Sequence, residues 1–137
     1  VPENHQKMTD LRAGKIAKIA DFIPLQKVYG NQDGGEILVV GWGGTYGHLF
    51  SAVKELRNEG KDVNLAHFNY INPLPKNTEE IFSKYKKILV CELNLGQFAL
   101  YLRGKHPGHN YYQCNKVAGL PFAVDEIKNK VNELLTK

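Results

Sequence analysis

The sequence predicts an α/β fold, a three-layer α/β/α sandwich of about five mostly parallel strands with one antiparallel strand near the start. Three observations predict it. Apolar runs such as Ile37-Leu38-Val39-Val40 and Ile88-Leu89-Val90-Cys91 read as strands buried on both faces. Amphipathic segments with apolar residues at three-four spacing stand between and after them. From Glu36 onward the two kinds alternate, and such a rhythm needs right-handed crossovers and a sheet covered on both sides.

The elements follow in order. Glu3 to about Asp21 places Met8, Leu11, Ile16 and Ile19 near one helical face, and Ala13, Ala17 and Ala20 add helix propensity. Pro24 ends it. Leu25–Tyr29 is a short strand, and Gly30-Asn31-Gln32-Asp33-Gly34-Gly35 turns it into Glu36–Val40 as an antiparallel hairpin. Tyr46, Leu49, Phe50, Val53 and Leu56 form a helical stripe closed by Gly60 in the C′ position. Val63–Tyr70 is extended and stops before Pro73 and Pro75. Asn77 caps a short helix, with Glu80 three residues on as in a capping box and Ile81 and Phe82 facing inward. After the buried strand Ile88–Cys91, Gln97–Leu102 makes a helical turn or two, and Tyr111–Val117 is a further strand. Val124, Ile127, Val131 and Leu134 mark a final amphipathic helix. Residues 1–24 read as a helical lead-in or linker and residues 25–137 as the α/β domain.

At 137 residues the chain suits one domain with a real core, since a chain of this size buries roughly two-thirds of its unfolded surface. Apolar residues at 42% and charged residues at 23% argue against disorder of the whole chain. Cys91 and Cys114 are too few for a disulfide framework, and Cys91 reads as a buried, reduced thiol. No stretch resembles a signal peptide or matches a membrane span, so a reducing cytoplasm and no membrane partner are expected. The chain opens Val1-Pro2-Glu3-Asn4 without methionine, which suggests a piece of a longer polypeptide. The net charge of +4 is mild. Acids interleave the lysines, and aromatics do not alternate with basic residues, so no nucleic-acid partner is expected.

Two strand ends carry the candidate sites. Gly41-Trp42-Gly43-Gly44-Thr45-Tyr46-Gly47-His48 follows the first apolar run. A dinucleotide fingerprint counted from Gly41 needs its third glycine at residue 46, which is Tyr46, and a Walker loop needs a lysine, of which there is none between Gly35 and Lys54. The loop therefore reads as a structural or interface turn, with Gly43 and Gly47 holding conformations or contacts that a side chain would spoil. Glu92-Leu93-Asn94-Leu95-Gly96-Gln97 follows the second run. Glu92, Asn94 and Gln97 supply one carboxylate and two amides, better suited to tying loops together than to acid–base work. The histidines His5, His48, His67, His106 and His109 scatter. A zinc site from His106, His109 and Cys114 lacks a fourth ligand, and no nucleophile motif is present. No catalytic, cofactor-binding or metal residue is assigned.

At these loops the chain resembles the C-terminal, transketolase C-terminal-like domain of the alpha chain of 2-oxoacid:ferredoxin oxidoreductases of the 2-oxoglutarate type. The resemblance runs through "HQKMTDLRAGKIAKI", "LVVGWGGTYG", "EGKDVNLAHFNYINPLP" and "KILVCELNLGQFA" over most of residues 5–103, and "KVAGLPFAVDEI" suits the family's ending. Gly44 stands where the family more often has serine. The resemblance implies a non-catalytic domain that adds interdomain and subunit contacts. Its parent enzyme turns a 2-oxoacid into acyl-CoA and CO2 using thiamine diphosphate, magnesium, iron–sulfur clusters and coenzyme A, and reduces ferredoxin. The implied partners are the other alpha-chain domains, a beta subunit and ferredoxin. On this view the isolated domain is inactive and holds no cofactor. The rival reading is a stand-alone α/β module that binds a phosphorylated ligand at Gly41–Gly47.

Overall fold

The computed structural model describes Lys15, residues 18–93, residues 96–116 and residues 122–137. Among these residues four strands pair side by side: β1 (Gly35–Trp42), β2 (Val63–Phe68), β3 (Tyr85–Glu92) and β4 (Tyr111–Asn115). All the pairings are parallel and the order is β2-β1-β3-β4. The helices are α1 (Tyr46–Asn58), α2 (Thr78–Phe82), α3 (Gln97–Lys105) and α4 (Val124–Leu135).

Strand alternation builds the three layers. Ile37 and Val39 of β1, Leu65 of β2, and Leu89 and Cys91 of β3 are buried with Leu49, Val53 and Leu56 of α1 and with Ile127, Val131 and Leu134 of α4. The intervening residues Leu38, Val40, Phe68, Ile88 and Val90 are buried on the other face with Ile81 and Phe82 of α2 and Phe98 and Leu102 of α3. Each such side chain contributes about 1.5–3 kcal/mol of burial. Because both faces are covered, β1 and β3 carry apolar residues at consecutive positions instead of alternating with polar ones. α1 ends as its sequence predicts: Gly60 adopts φ +84°, its N–H reaches the Arg57 carbonyl, and Lys61 N–H reaches Leu56, which closes a Schellman motif.

The strand near the start differs from the expected hairpin. β1 hydrogen-bonds β2 along one edge and β3 along the other, so neither edge is left for an antiparallel partner. Leu25–Tyr29 instead lies outside β2, where Tyr29 and Leu65 exchange backbone bonds of 2.8 and 2.9 Å as a single antiparallel bridge. Gln26 extends this cover by donating its side-chain amide to the His67 carbonyl at 2.8 Å. The 30–35 turn then carries the chain past the amino ends of β2 and β1. There the fully buried Asn64 accepts from Asn31 N–H and Arg57 and donates to the Ile37 carbonyl.

The Asn77 capping box is also replaced. No side-chain cap bond forms at α2. The Asn77 amide accepts from Gln26 N–H at 2.8 Å and donates to the Gln26 carbonyl at 3.0 Å, pinning the edge segment to the α2 side. Strand ends shift by small amounts: β1 runs on through Gly41 and Trp42, β2 stops at Phe68, and β4 stops at Asn115. Val117 and most of the expected first helix, including Met8, Leu11 and Ile16, lie outside the described residues.

Candidate functional site

The strand order decides where the two candidate loops meet. Residues 43–45 leave β1 as a 3-10 turn and lead into α1 on one face of the sheet. The segment after Glu92 leaves β3 and leads into α3 on the opposite face. β1 and β3 are neighbours, so the two connections diverge and leave a crevice outside their carboxyl ends, the usual ligand or partner position in an open α/β sheet. Trp42, Gly43, Gly44, Thr45 and Leu93 line a hollow of about 360 Å³ there.

The first loop is held from below. Gly41 is buried, and a Cβ at this position would overlap a Leu49 methyl and sit 2.9 Å from Thr45 Oγ1. Thr45 is 3% exposed and donates its hydroxyl to the Trp42 carbonyl at 3.1 Å. His67, opposite Gly41 on β2, lies 3.1 Å through Nε2 from the Gly43 carbonyl, so the imidazole donates there. Burial lowers the His67 pKa below its usual range, and this bond to Gly43 opposes the shift. Gly43 has φ +69°, as expected of a glycine that a side chain would strain. Gly47 does not meet that expectation: it lies in α1 with open space where a Cβ would go. Gly44 likewise faces open space, and His48 is half-buried on α1.

The two aromatics of this loop part company. Tyr46 stacks on Phe50 with centroids 5.7 Å apart and meets the His67 ring edge-on at 5.1 Å, toward the β2 side. Trp42 turns to the α3 side, 5.9 Å from Phe98. With Ile71, Asn72, Gln97, Phe98 and Tyr101 it forms an apolar slot of about 200 Å³.

The second loop is organised by its carboxylate. Glu92 is fully buried, and its Oε1 and Oε2 accept from the N–H groups of Phe98 at 2.9 Å and Ala99 at 3.0 Å. These are orphan donors of the first turn of α3, so Glu92 caps that helix and complements its dipole. The N-cap residue Gly96 has φ +89°, a left-handed conformation that favours glycine. Gln97 is exposed at the first position of α3 beside Trp42. Asn94 lies outside the described residues. The expected loop-tying role for Glu92 thus takes the form of an internal helix cap.

The other candidate clusters resolve into packing. His106 and His109 come together on Glu79, at 3.0 and 2.7 Å, and both rings lie edge-on against Phe82. Burial pushes the Glu79 carboxyl up, but the bonds from His109 and His106 outweigh it and hold the pKa below the usual range. Cys114 is on β4, paired with Cys91 and packed on the face covered by α1 and α4. Among the described residues no three His, Cys, Asp or Glu side chains are placed to hold a metal ion. That donor set does not fit the divalent cation that thiamine diphosphate needs, and two cysteines fall short of the four thiolates of a cluster. No helix among the described residues is long and apolar enough to cross a membrane. Sequence reasoning missed His67 and Asn64; their only local signal was a polar residue inside an otherwise apolar strand.

Comparisons with known proteins converge. The family model for pyruvate:ferredoxin oxidoreductase core domain II matches residues 35–130. The 2-oxoglutarate oxidoreductase subunit KorA of Mycobacterium tuberculosis is 40% identical over 126 residues, covering 92% of this chain and 19% of that protein. The chain therefore spans about a fifth of the length of that relative. The solved 2-oxoglutarate:ferredoxin oxidoreductase from Magnetococcus marinus, with 2-oxoglutarate, coenzyme A and succinyl-CoA bound, superposes with a TM-score of 0.87. It is 27% identical, over 98% of this chain and 24% of that one. A split-gene transketolase, an inactive beta4 tetramer, superposes at 0.62 and 14% identity over 80% of this chain and 41% of that one, a likeness of fold alone.

Proposed function

Because this chain belongs to the family of pyruvate:ferredoxin oxidoreductase core domain II, we propose that it is a non-catalytic domain of the alpha subunit of a 2-oxoacid:ferredoxin oxidoreductase, of the 2-oxoglutarate type. In this reading the whole enzyme converts a 2-oxoacid to acyl-CoA and CO2, reduces ferredoxin, and keeps thiamine diphosphate, magnesium and its clusters on other parts. This chain contributes the carboxyl-edge surface against other alpha-chain domains and a beta subunit.

One observation carries the interface role. The ionisable groups that β1, β2 and β3 bring to the crevice are committed within the domain, Glu92 to α3 and His67 to Gly43. What faces outward is aromatic and apolar: Trp42 over its slot, Tyr46 at 50% exposure and Leu93 at 39%. A charge-poor, aromatic patch of this kind is the composition of an interface core.

The test uses the full-length alpha chain co-expressed with its beta subunit. The Trp42→Ala, Gln97→Ala double variant lowers the yield of assembled complex, while the same pair leaves the 137-residue chain folded by circular dichroism. Normal assembly and turnover would refute the interface placement. Calorimetric titration of the 137-residue chain with thiamine diphosphate and magnesium gives no binding heat, and micromolar binding would overturn the non-catalytic assignment.

A further inference from the structure

We propose that Cys91 and Cys114 are a reversible thiol–disulfide pair, with Cys114 the attacking thiol, modified first, and a small-molecule disulfide the oxidant. The two are in-register partners on adjacent parallel strands, β3 and β4. Neighbouring strands lie about 4.8 Å apart, within the Cα separations of roughly 4.4–6.8 Å that disulfides span. Both side chains are on the sheet face covered by α1 and α4, and both are free thiols. They differ in access: Cys91 is fully buried at the centre of the sheet, whereas Cys114 is half-buried on the edge strand.

The surroundings set the order of events. Each thiol is the strongest influence on the other's ionisation. Cys91 and the nearby Lys130 and Lys116 lower the Cys114 pKa against burial and Glu126, so Cys114 is the readier of the two to become a thiolate. The neighbouring Cys114 and full burial push the Cys91 thiol up. Such a pair matches an attacking and a resolving cysteine.

The steps balance. The Cys114 Sγ thiolate attacks one sulfur of the small disulfide, whose S–S bond breaks, and the expelled thiolate takes a proton from water. Cys91 Sγ then attacks Cys114 Sγ in the mixed disulfide, giving up its proton to the second departing thiolate. Two protein thiols lose two electrons, and one small disulfide becomes two thiols. The new bond closes a loop that contains Glu92, Gly96 and the whole of α3, so oxidation staples the base of the second carboxyl-edge loop.

The test equilibrates the 137-residue chain in buffers of reduced and oxidised glutathione, quenches with acid, alkylates after unfolding and maps the peptides. The expected result is a Cys91–Cys114 linked peptide in monomeric chain, both alkylation sites disappearing in one transition and returning with dithiothreitol. The Cys91→Ser variant accumulates a stable Cys114–glutathione adduct that the natural chain resolves. If the natural chain stops at that adduct with Cys91 still alkylatable, or pairs cysteines only between chains, the proposal is overturned.

Discussion

Replacing Glu92 tests how the second carboxyl-edge loop is held. Its two oxygens satisfy two buried N–H groups at 2.9 and 3.0 Å, and the side chain is fully buried. In Glu92→Gln one oxygen still accepts, but an NH2 group faces the other N–H. One buried donor left unpaired costs about 1–3 kcal/mol, and the surviving bond loses its charge assistance. The expected destabilisation is about 2 kcal/mol for Glu92→Gln. Glu92→Ala loses both bonds and opens a cavity, for about 3–4 kcal/mol. Both are large fractions of a total near 5–15 kcal/mol. Urea unfolding followed by circular dichroism reads the glutamine variant as a midpoint drop on the order of 1 M. Hydrogen exchange localises it, with the Phe98 and Ala99 amides exchanging roughly tenfold or more faster. An unchanged midpoint together with unchanged exchange at those two amides would show that the carboxylate does not hold α3.

The glycines of the first loop separate by geometry. Gly41→Ala drives a methyl into Leu49 and Thr45 and lowers stability by about 1–3 kcal/mol, whereas Gly47→Ala, in open space inside α1, raises it by up to about 1 kcal/mol. Equal urea midpoints for the two variants would contradict this assignment. For His67 the native pKa lies below the ordinary 6.5, so the unfolded chain binds the proton more readily. The stability linked to His67 is then fully present above that ordinary value and is lost as pH falls through the depressed native one. NMR titration places the His67 midpoint below 6.5, and His67→Gln removes this part of the pH dependence; a midpoint at or above 6.5 would reject the burial account.

Much of the fold was legible because its signals are local. Ile37–Val40 and Ile88–Cys91 are apolar at every position, which a strand can satisfy only in a sheet covered on both faces. The α1 stripe with Gly60, and the Val124, Ile127, Val131, Leu134 spacing of α4, each specify one buried helix face within a few turns. The hairpin expected at Leu25–Tyr29 does not form, because turn residues at 30–35 report that the chain turns, not which strand it turns toward. That choice follows from β1 having both edges filled by β2 and β3.

At the site the same division holds residue by residue. Two glycine-bearing loops at strand ends, and their family resemblance, could be read along the chain because strand ends and loop composition are local properties. What each polar side chain does there could not. Asn77 looks like a cap in one dimension and pairs with Gln26, 51 residues away, in three. His67 finds Gly43, 24 residues away, only through the parallel register of β1 and β2, and Cys91 meets Cys114 only through that of β3 and β4. The sequence by itself determined the strands and helices from Glu36 onward, their alternation and the family, since backbone propensity and burial periodicity act over neighbouring residues. Tertiary structure alone decided the strand order, the crevice between β1 and β3, and the partners of Glu92, His67, Asn64 and the two cysteines. A hydrogen bond depends on distances of a few tenths of an ångström, and those are set only when distant segments pack.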